Sequence, residues 1–288
     1  MLLSLVSRNN KIFFRNKLLV FFSLLSVLIL IALYATFLQN LQVNSITEYV
    51  PITPEIEIMV SEWMIAGLLS IIAMTATLGV FGIYIKDLES KTTADFLVTA
   101  ASRYKIQLSY VISSFIIGFS MTFIGFICCE IFIVSIGGEL LPPISMLKAV
   151  GILILAVVMS SMINLFIVLF INTETAFSTV STISGTLLGF LCGIYVPMAV
   201  LPSSVQSVIH FFPVSHITVL LREVLTAQSV ETVFAGYELY TKTYKVDYGV
   251  MYEINGSILS NSMSLIFVVS TIIVLGTLSA VVFRRKYK

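Results

Sequence analysis

Few side chains in this sequence are equipped for chemistry, and their spacing excludes most of what they could do. His210 and His216 have no neighbouring cysteine and no second acid at a ligand interval, so no metal site is expected and both are placed at the headgroup boundary. Cys128, Cys129 and Cys192 fall inside apolar runs, where cysteine acts as a small hydrophobe. Their spacing frames neither a disulfide set nor a metal centre. There is no Ser/His/Asp array or pair of intramembrane carboxylates to serve a hydrolase. Nor is there a G-x-x-x-x-G-K followed by Ser or Thr to cradle a nucleotide phosphate, so ATP chemistry is not expected on this chain. Glu130 is the only carboxylate well inside an apolar span. Charge at that depth faces a bundle interior or water. Three roles fit it: attracting a cationic substrate, hydrogen-bonding a polar neighbour such as Asn164, or snorkelling outward near Gly137.

Charge is concentrated in one segment, KDLESKTTADFLVTAASR at 86–103. Asp87, Glu89 and Asp95 alternate there with Lys86, Lys91, Arg103 and, just beyond, Lys105. Asp95 offers a capping carboxylate to Phe96-Leu97-Val98-Thr99-Ala100-Ala101, which predicts a short amphipathic helix over 95–101. Such a helix lies on the membrane surface or presses its apolar residues into a soluble partner, with Phe96 and Leu97 as anchors. A solvated connecting loop is the plain alternative.

The elements that must position these residues follow from composition. The chain is 58% hydrophobic and 11% charged, with a mean hydropathy of +1.04, whereas a soluble domain carries roughly 25% charged residues. This predicts an all-α integral membrane protein, and a net charge of +1 gives no ground for a nucleic-acid partner. Six transmembrane helices are expected, at about 18–38, 64–85, 108–136, 148–171, 176–196 and 263–283, each near the ~20 residues that cross the hydrocarbon core. The third is longer and should tilt or protrude. The first follows Arg8, Lys11, Arg15 and Lys17 and lacks a cleavage site, so it reads as a retained signal anchor. Twelve lysines and arginines against four place both termini and the 86–105 loop in the cytoplasm. Outside, the loop 39–63 is purely acidic through Glu48, Glu55, Glu57 and Glu62. The whole of 1–288 thus reads as a single transmembrane domain. It has an interfacial amphipathic helix at 1–17, a cytoplasmic loop at 86–105, and an extracellular, partly re-entrant segment at 197–262.

Span five carries Ser181, Gly185, Gly189 and Gly193 at four-residue spacing. Small residues so placed allow close helix approach in lipid, either to a neighbouring span or to a second subunit. Beyond it, Pro197, Pro202 and Pro213 break an apolar text into pieces too short to span and too apolar for water. Broken helices at membrane depth survive when buried in protein or lining a cavity. A re-entrant helical hairpin in the outer leaflet is therefore expected, with Arg222 and Glu223 near its mouth. Further on, Tyr240, Tyr244, Tyr248 and Tyr252 share one face of either a helix or a strand. Interfacial anchoring is favoured for them over a recognition surface.

With these pieces in place the sequence resembles the membrane subunit of a type-2 ATP-binding-cassette (ABC) exporter, over nearly its whole length. Four features carry the resemblance: the basic amphipathic start, KDLESKTTADFLVTAASRYKIQLSY, G-x-x-x-P-x-x-x-L-P-x-x-x-Q over 193–206, and P-x-x-H-x-x-x-x-L-R over 213–222. Glu89-Ser90-Lys91-Thr92 stands where the family commonly has E-x-G-T. The resemblance implies a coupling helix resting in a groove of the ATPase, with Asp95, Phe96, Leu97, Thr99 and Arg103 as its residues. It also implies an external gate built on Pro197, Pro202, Pro213, His216 and Arg222. It implies a permease of an ATP-driven exporter that moves an amphipathic or hydrophobic cargo (drug, antimicrobial peptide or lipid-like) outward, with a bearing on multidrug or peptide resistance. ATP and magnesium would then belong to a separate ABC ATPase, present in two copies. A second permease copy or a homologous permease would complete the assembly in a cell membrane, the plasma membrane of a bacterium. A non-transporting immunity or sensory subunit could share the span count but has no need of a docking helix. A secondary carrier needs more intramembrane ionisable groups and usually internal repeats.

Overall fold

A computed structural model describes residues 1–18, 20–21, 25, 29, 32, 39–47, 50–51, 53–98, 102–254 and 256–286. Most of the expected first span, 18–38, lies outside the described residues, as does Thr99. The elements are α1 (Leu2–Arg15), α2 (Gln39–Ile46), α3 (Pro54–Glu89), α4 (Thr92–Leu97), α5 (Arg103–Ser135), α6 (Pro143–Val168) and α7 (Glu174–Leu191). A 3-10 turn (Met198–Val200) follows, then α8 (Ser203–His210), α9 (Pro213–Leu225), α10 (Ala227–Val233) and α11 (Glu238–Asp247). Two-residue antiparallel strands β1 (Glu253–Ile254) and β2 (Ser257–Ile258) precede α12 (Asn261–Lys286). The protein is an all-α integral membrane protein.

The organising element is α3. Pro54 supplies a first residue with φ already helical, and Glu55 and Glu57 in the first turn complement the helix dipole. At 36 residues the helix is about 54 Å long, well beyond the ~30 Å hydrocarbon core. The acids Glu55, Glu57 and Glu62, expected in an external loop, therefore ride on the projecting turns of α3 instead. Its apolar stretch is 89% buried, against 11% for α12, so α3 is the core and α12 the periphery. Around α3 pack α5, α6, α7 and α9, with α12 outside α6 and α9.

Among the described residues four helices are long and apolar enough to cross a membrane: α3, α5, α6 and α12. The pair α8 and α9 passes the same test only together, and it is bent by 87° at the break. The expected fifth span, 176–196, is the 18-residue α7, which stops at Leu191. Its alternating serines and threonines dilute its apolar character, and the chain turns at Gly193, whose φ is +62°. That left-handed conformation is cheap only for glycine.

A layer of small and polar side chains fixes the register of α3, α5 and α6. Asn164 donates to the Met74 carbonyl at 2.9 Å and to Thr77 Oγ1 at 2.8 Å, while Ser114 and Ser161 pair at 2.9 Å. At Gly118 a Cβ would stand 2.5 Å from Thr77 Cγ2 and 3.0 Å from Val157 Cγ1, so the glycine is what lets the three helices meet.

Candidate functional site

Two polar clusters mark opposite ends of the bundle. The first gathers on the last turn of α3. Arg8 of α1 grips the Asp87 carboxylate with both ends of its fork, Nη1 to Oδ2 at 2.5 Å and Nη2 to Oδ1 at 2.7 Å, and the Tyr110 hydroxyl of α5 donates to Oδ2 at 2.6 Å. A two-pronged pair with an added hydroxyl is the strong form of such an interaction. The hydrogen bond to Asp87 raises the Arg8 pKa above its ordinary value, so the guanidinium stays charged. Below it the buried face of α1, Leu5, Val6, Asn9 and Phe13, recurs at helical spacing and lies along α5. Asn9 adds a hydrogen bond to Ser109 Oγ at 3.4 Å. Two residues after Asp87, Glu89 accepts from the backbone N–H of Glu174 at 2.6 Å and so caps the start of α7.

The helix expected over 95–101 forms three residues earlier, as α4. Lys91, with φ of 62°, turns the chain sharply off α3, so Thr92 opens the new helix and Asp95 lies within its first turn rather than preceding it. Asp95 and Arg103 are exposed. Phe96 is half-buried, and its ring lies 5.2 Å from the Arg8 guanidinium carbon. The Arg8 cation thus touches α3 through Asp87 and α4 through Phe96. Neither Arg8 nor Asp87 stood out in the sequence as a pair, because 79 residues separate them.

The second cluster centres on Arg222, expected near the mouth of a hairpin but only 3% exposed. Its guanidinium carbon stands 4.3 Å from the Trp63 ring centroid. It donates to the carbonyls of Cys192 (3.1 Å), Gly193 (2.8 Å), Tyr248 (3.0 Å) and Gly249 (3.3 Å). Gly193 and Gly249, both at positive φ, lie 3.4 and 3.1 Å from the guanidinium at their would-be Cβ positions. Bare backbone is what allows the fork to approach two turns at once. Mouth placement fails because a rigid planar donor set is better met by converging carbonyls than by water beside lipid.

The rest of the expected gate is held by similar latches. Pro197 precedes the 3-10 turn, Pro202 precedes α8, and Pro213 is the first residue of α9. Gln206 donates to the Met198 and Leu201 carbonyls at 3.0 and 2.9 Å, folding α8 back on the turn before it. Ser215 donates to the Ile209 and Phe212 carbonyls at 2.6 and 2.7 Å and secures the bend. His216 is buried rather than at a headgroup boundary. Its Nε2 pairs with the His210 carbonyl at 2.8 Å and its Nδ1 with Ser264 Oγ of α12 at 3.1 Å. Tyr252 packs against both imidazoles, and burial pushes its hydroxyl up to about 12. Thr218 donates to Ser70 of α3 at 2.9 Å, which joins α9 to the core.

Other expected pairings are not brought together. Glu130 accepts from the Leu141 backbone N–H at 3.2 Å and so closes the loop after α5, while Asn164 serves Met74 and Thr77. The contact between Glu130 and Asn164 does not form, because each has a nearer backbone partner. Ser181, Gly185, Gly189 and Gly193 do not make one seam within the chain. Gly185 has open space at its Cβ position, Gly189 is covered by Tyr195 from the following turn, and Gly193 lies beyond the helix end. The tyrosine-rich stretch is helical at α11, and Tyr244, Tyr248 and Tyr252 are core residues. Interfacial anchoring is therefore not their role. Among the described residues no group of three His, Cys, Asp or Glu could hold a metal ion.

The family model for the ABC-2 type transporter matches residues 2–226, from the start of α1 to the residue after α9. The match takes in the first polar cluster and, of the second, Trp63, Cys192, Gly193, His216 and Arg222, and stops short of the tyrosine-rich stretch and α12. No curated protein matches the chain. Membership implies an ABC ATPase as partner and makes this polypeptide a transport subunit rather than the ATPase itself. With its membrane-crossing helices and a match over most of its length, the chain belongs to the ABC-2 type transporter family and is a multi-pass permease subunit of an ABC exporter.

Proposed function

We propose that this permease moves an amphipathic or hydrophobic cargo outward, driven by a separate ATPase that carries ATP and magnesium and docks on α4. The observation that carries this reading is the position of Arg8, which joins Phe96 of α4 to Asp87 of α3. A push on α4 from a partner is thereby delivered to the longest helix in the bundle and to α1, rather than lost in a loose loop. Asp95, Phe96, Leu97, Thr99 and Arg103 are the proposed contact set. Replacing Phe96 and Leu97 with Asp should release a co-expressed ATPase from the complex while the permease still folds and inserts. An ATPase that stays bound and coupled to the F96D/L97D protein would reduce α4 to a connector.

Two parts of the reading concern the other end of the molecule. The segment 197–225 closes the outer end of the pathway at rest, with α9 as its fixed arm and α8 as its moving arm. The division follows the contacts: α9 is tied to α3 through Thr218 and Arg222, whereas Val205, Val208 and Phe211 in and beside α8 are exposed. Two such permeases, or this one with a homologous chain, pair with two ATPase copies. The face of α7 that carries Ser178, Thr182 and Gly185 borders the shared pathway, because it is exposed here and too polar to suit lipid. Apolar plugging of the outlet and a hydroxyl-lined wall suit a cargo with both apolar and polar parts.

A further inference from the structure

A cleft of about 690 Å³ opens between α6, α9, α10, the end of α11 and the start of α12, at the end of the bundle distal to α4. Its charged groups are Lys148, Lys245 and Glu223, and none of the three makes an ion pair among the described residues. Asn261 and Ser262 sit at the same level, on the first turn of α12. Deeper along the same helices the lining turns apolar: Ile152 and Leu155 follow Lys148 on α6, and Leu265 follows Ser262 on α12. From Lys148 to Leu155 is seven residues, about 10 Å along the helix axis. The cleft therefore grades from cationic and polar to aliphatic over the depth at which a lipid passes from phosphate to acyl chain. Its rim is membrane-facing, since Leu147 and Ile154 on α6 and Ile266 on α12 are exposed apolar side chains. An occupant would arrive sideways from the bilayer, not from the cargo pathway beside α7.

We propose that this cleft binds one phospholipid of the distal leaflet, its phosphate on Lys148 and Lys245 and one acyl chain along Ile152, Leu155 and Leu265. The site goes beyond the transport reading and does not depend on it. Two lysines against Glu223 leave one net positive charge, which suits a single phosphodiester better than a neutral or multiply charged headgroup. Bound there, the lipid would tie peripheral α12 to α6 and α9, the elements it packs on.

The full-length permease, purified in detergent and stripped of lipid, can be titrated with phosphatidylglycerol or phosphatidylcholine and followed by native mass spectrometry. One phosphatidylglycerol per chain should be retained at least tenfold better than phosphatidylcholine. That preference should vanish in K148Q/K245Q and persist in K242Q, whose lysine does not line the cleft. L155W keeps both lysines but fills the apolar end, and it should also lose the lipid. Equal retention of the two lipids, unchanged retention in both cleft variants, or displacement by inorganic phosphate alone would overturn the proposal. Photocrosslinking from position 148 in membranes should yield lipid adducts; a crosslink to a second permease copy instead would assign the cleft to a protein interface and overturn it as well.

Discussion

Arg222 and Trp63 share a carbonyl: the Arg222 Nη1 and the Trp63 indole N–H both donate to the Tyr248 oxygen, at 3.0 and 2.6 Å, while the guanidinium lies against the indole ring. One cation thereby fixes four places in the chain: α3, α9, the turn after α7 and the turn after α11. The tyrosine-rich stretch, which lies beyond the family match, is held to the matched part by this contact and by Tyr248 packing edge-on to Trp63 at 5.6 Å.

The shared arrangement predicts strong coupling between the two side chains. A desolvated cation–π contact is worth about 2 kcal/mol. In a W63F/R222K double-mutant cycle on thermal or denaturant stability in detergent, the pair should show about 1–2 kcal/mol of interaction energy. Each single change should also be more damaging than its size suggests, because Lys lacks the fork and Phe lacks the N–H. Additive effects would mean that Arg222 is held by the carbonyls alone.

At the other end, Asp87→Asn should loosen α1. The substitution removes the charge that Arg8 grips with two hydrogen bonds, and Arg8 is 30% exposed, so solvent tempers the loss to roughly 1–2 kcal/mol. Trypsin cleavage at Arg8, Lys11 and Arg15 should become severalfold faster in D87N, with a smaller effect for Y110F. An unchanged cleavage rate would show that the apolar face of α1 suffices to hold it.

Much of the outer cluster was written in local sequence, and its purpose was not. Gly193, Gln206, His216 and Arg222 belong to two motifs read directly from the chain, and all four are latches in the fold. Their burial could not be read, because the bonds that hold them run largely through backbone carbonyls, which every residue carries and no pattern announces. The start of α3 was legible in principle: Pro54 followed by Glu55 and Glu57 is a helix-start signal, but acids before an apolar run also look like a loop. Glu130 and Asn164 invited pairing as polar groups in neighbouring spans, yet each found a backbone partner closer to hand. The four-residue spacing of the tyrosines fitted two geometries, and only packing against Trp63 and the imidazoles decides between them.

The polar layer of the bundle should respond to substitution in two distinct ways. Asn164→Leu forfeits two hydrogen bonds inside the membrane, and such bonds average only about 0.6 kcal/mol each, reaching about 1.7. A loss of about 1 kcal/mol is expected, with export largely retained. Gly118→Val should be far worse, because its first added carbon already meets Thr77 Cγ2 at 2.5 Å and overpacking costs about 1–3 kcal/mol or more. Thermal unfolding of the two variants in detergent should rank them in that order; the reverse order would mean that polar pairing, not close approach, sets the register of α3 and α5.

The last prediction separates the fixed and moving arms of the gate. Ser70 and Thr218 have hydroxyl oxygens 2.9 Å apart, so cysteines at the two positions should place their sulfurs within bonding reach. An S70C/T218C bridge would lock α9 onto α3, where Arg222 and Trp63 already hold it. If α9 is the frame, the oxidised protein should export at close to the reduced rate. The moving arm should behave differently. Val208 lies on α8, 58% exposed and free of the core, so a bulky thiol reagent on V208C should slow export while the ATPase continues to turn over. The two results together distinguish an arm that swings from a lid that is static. Blocked export in oxidised S70C/T218C would make α9 itself the part that moves, and normal export in labelled V208C would place the gate outside α8.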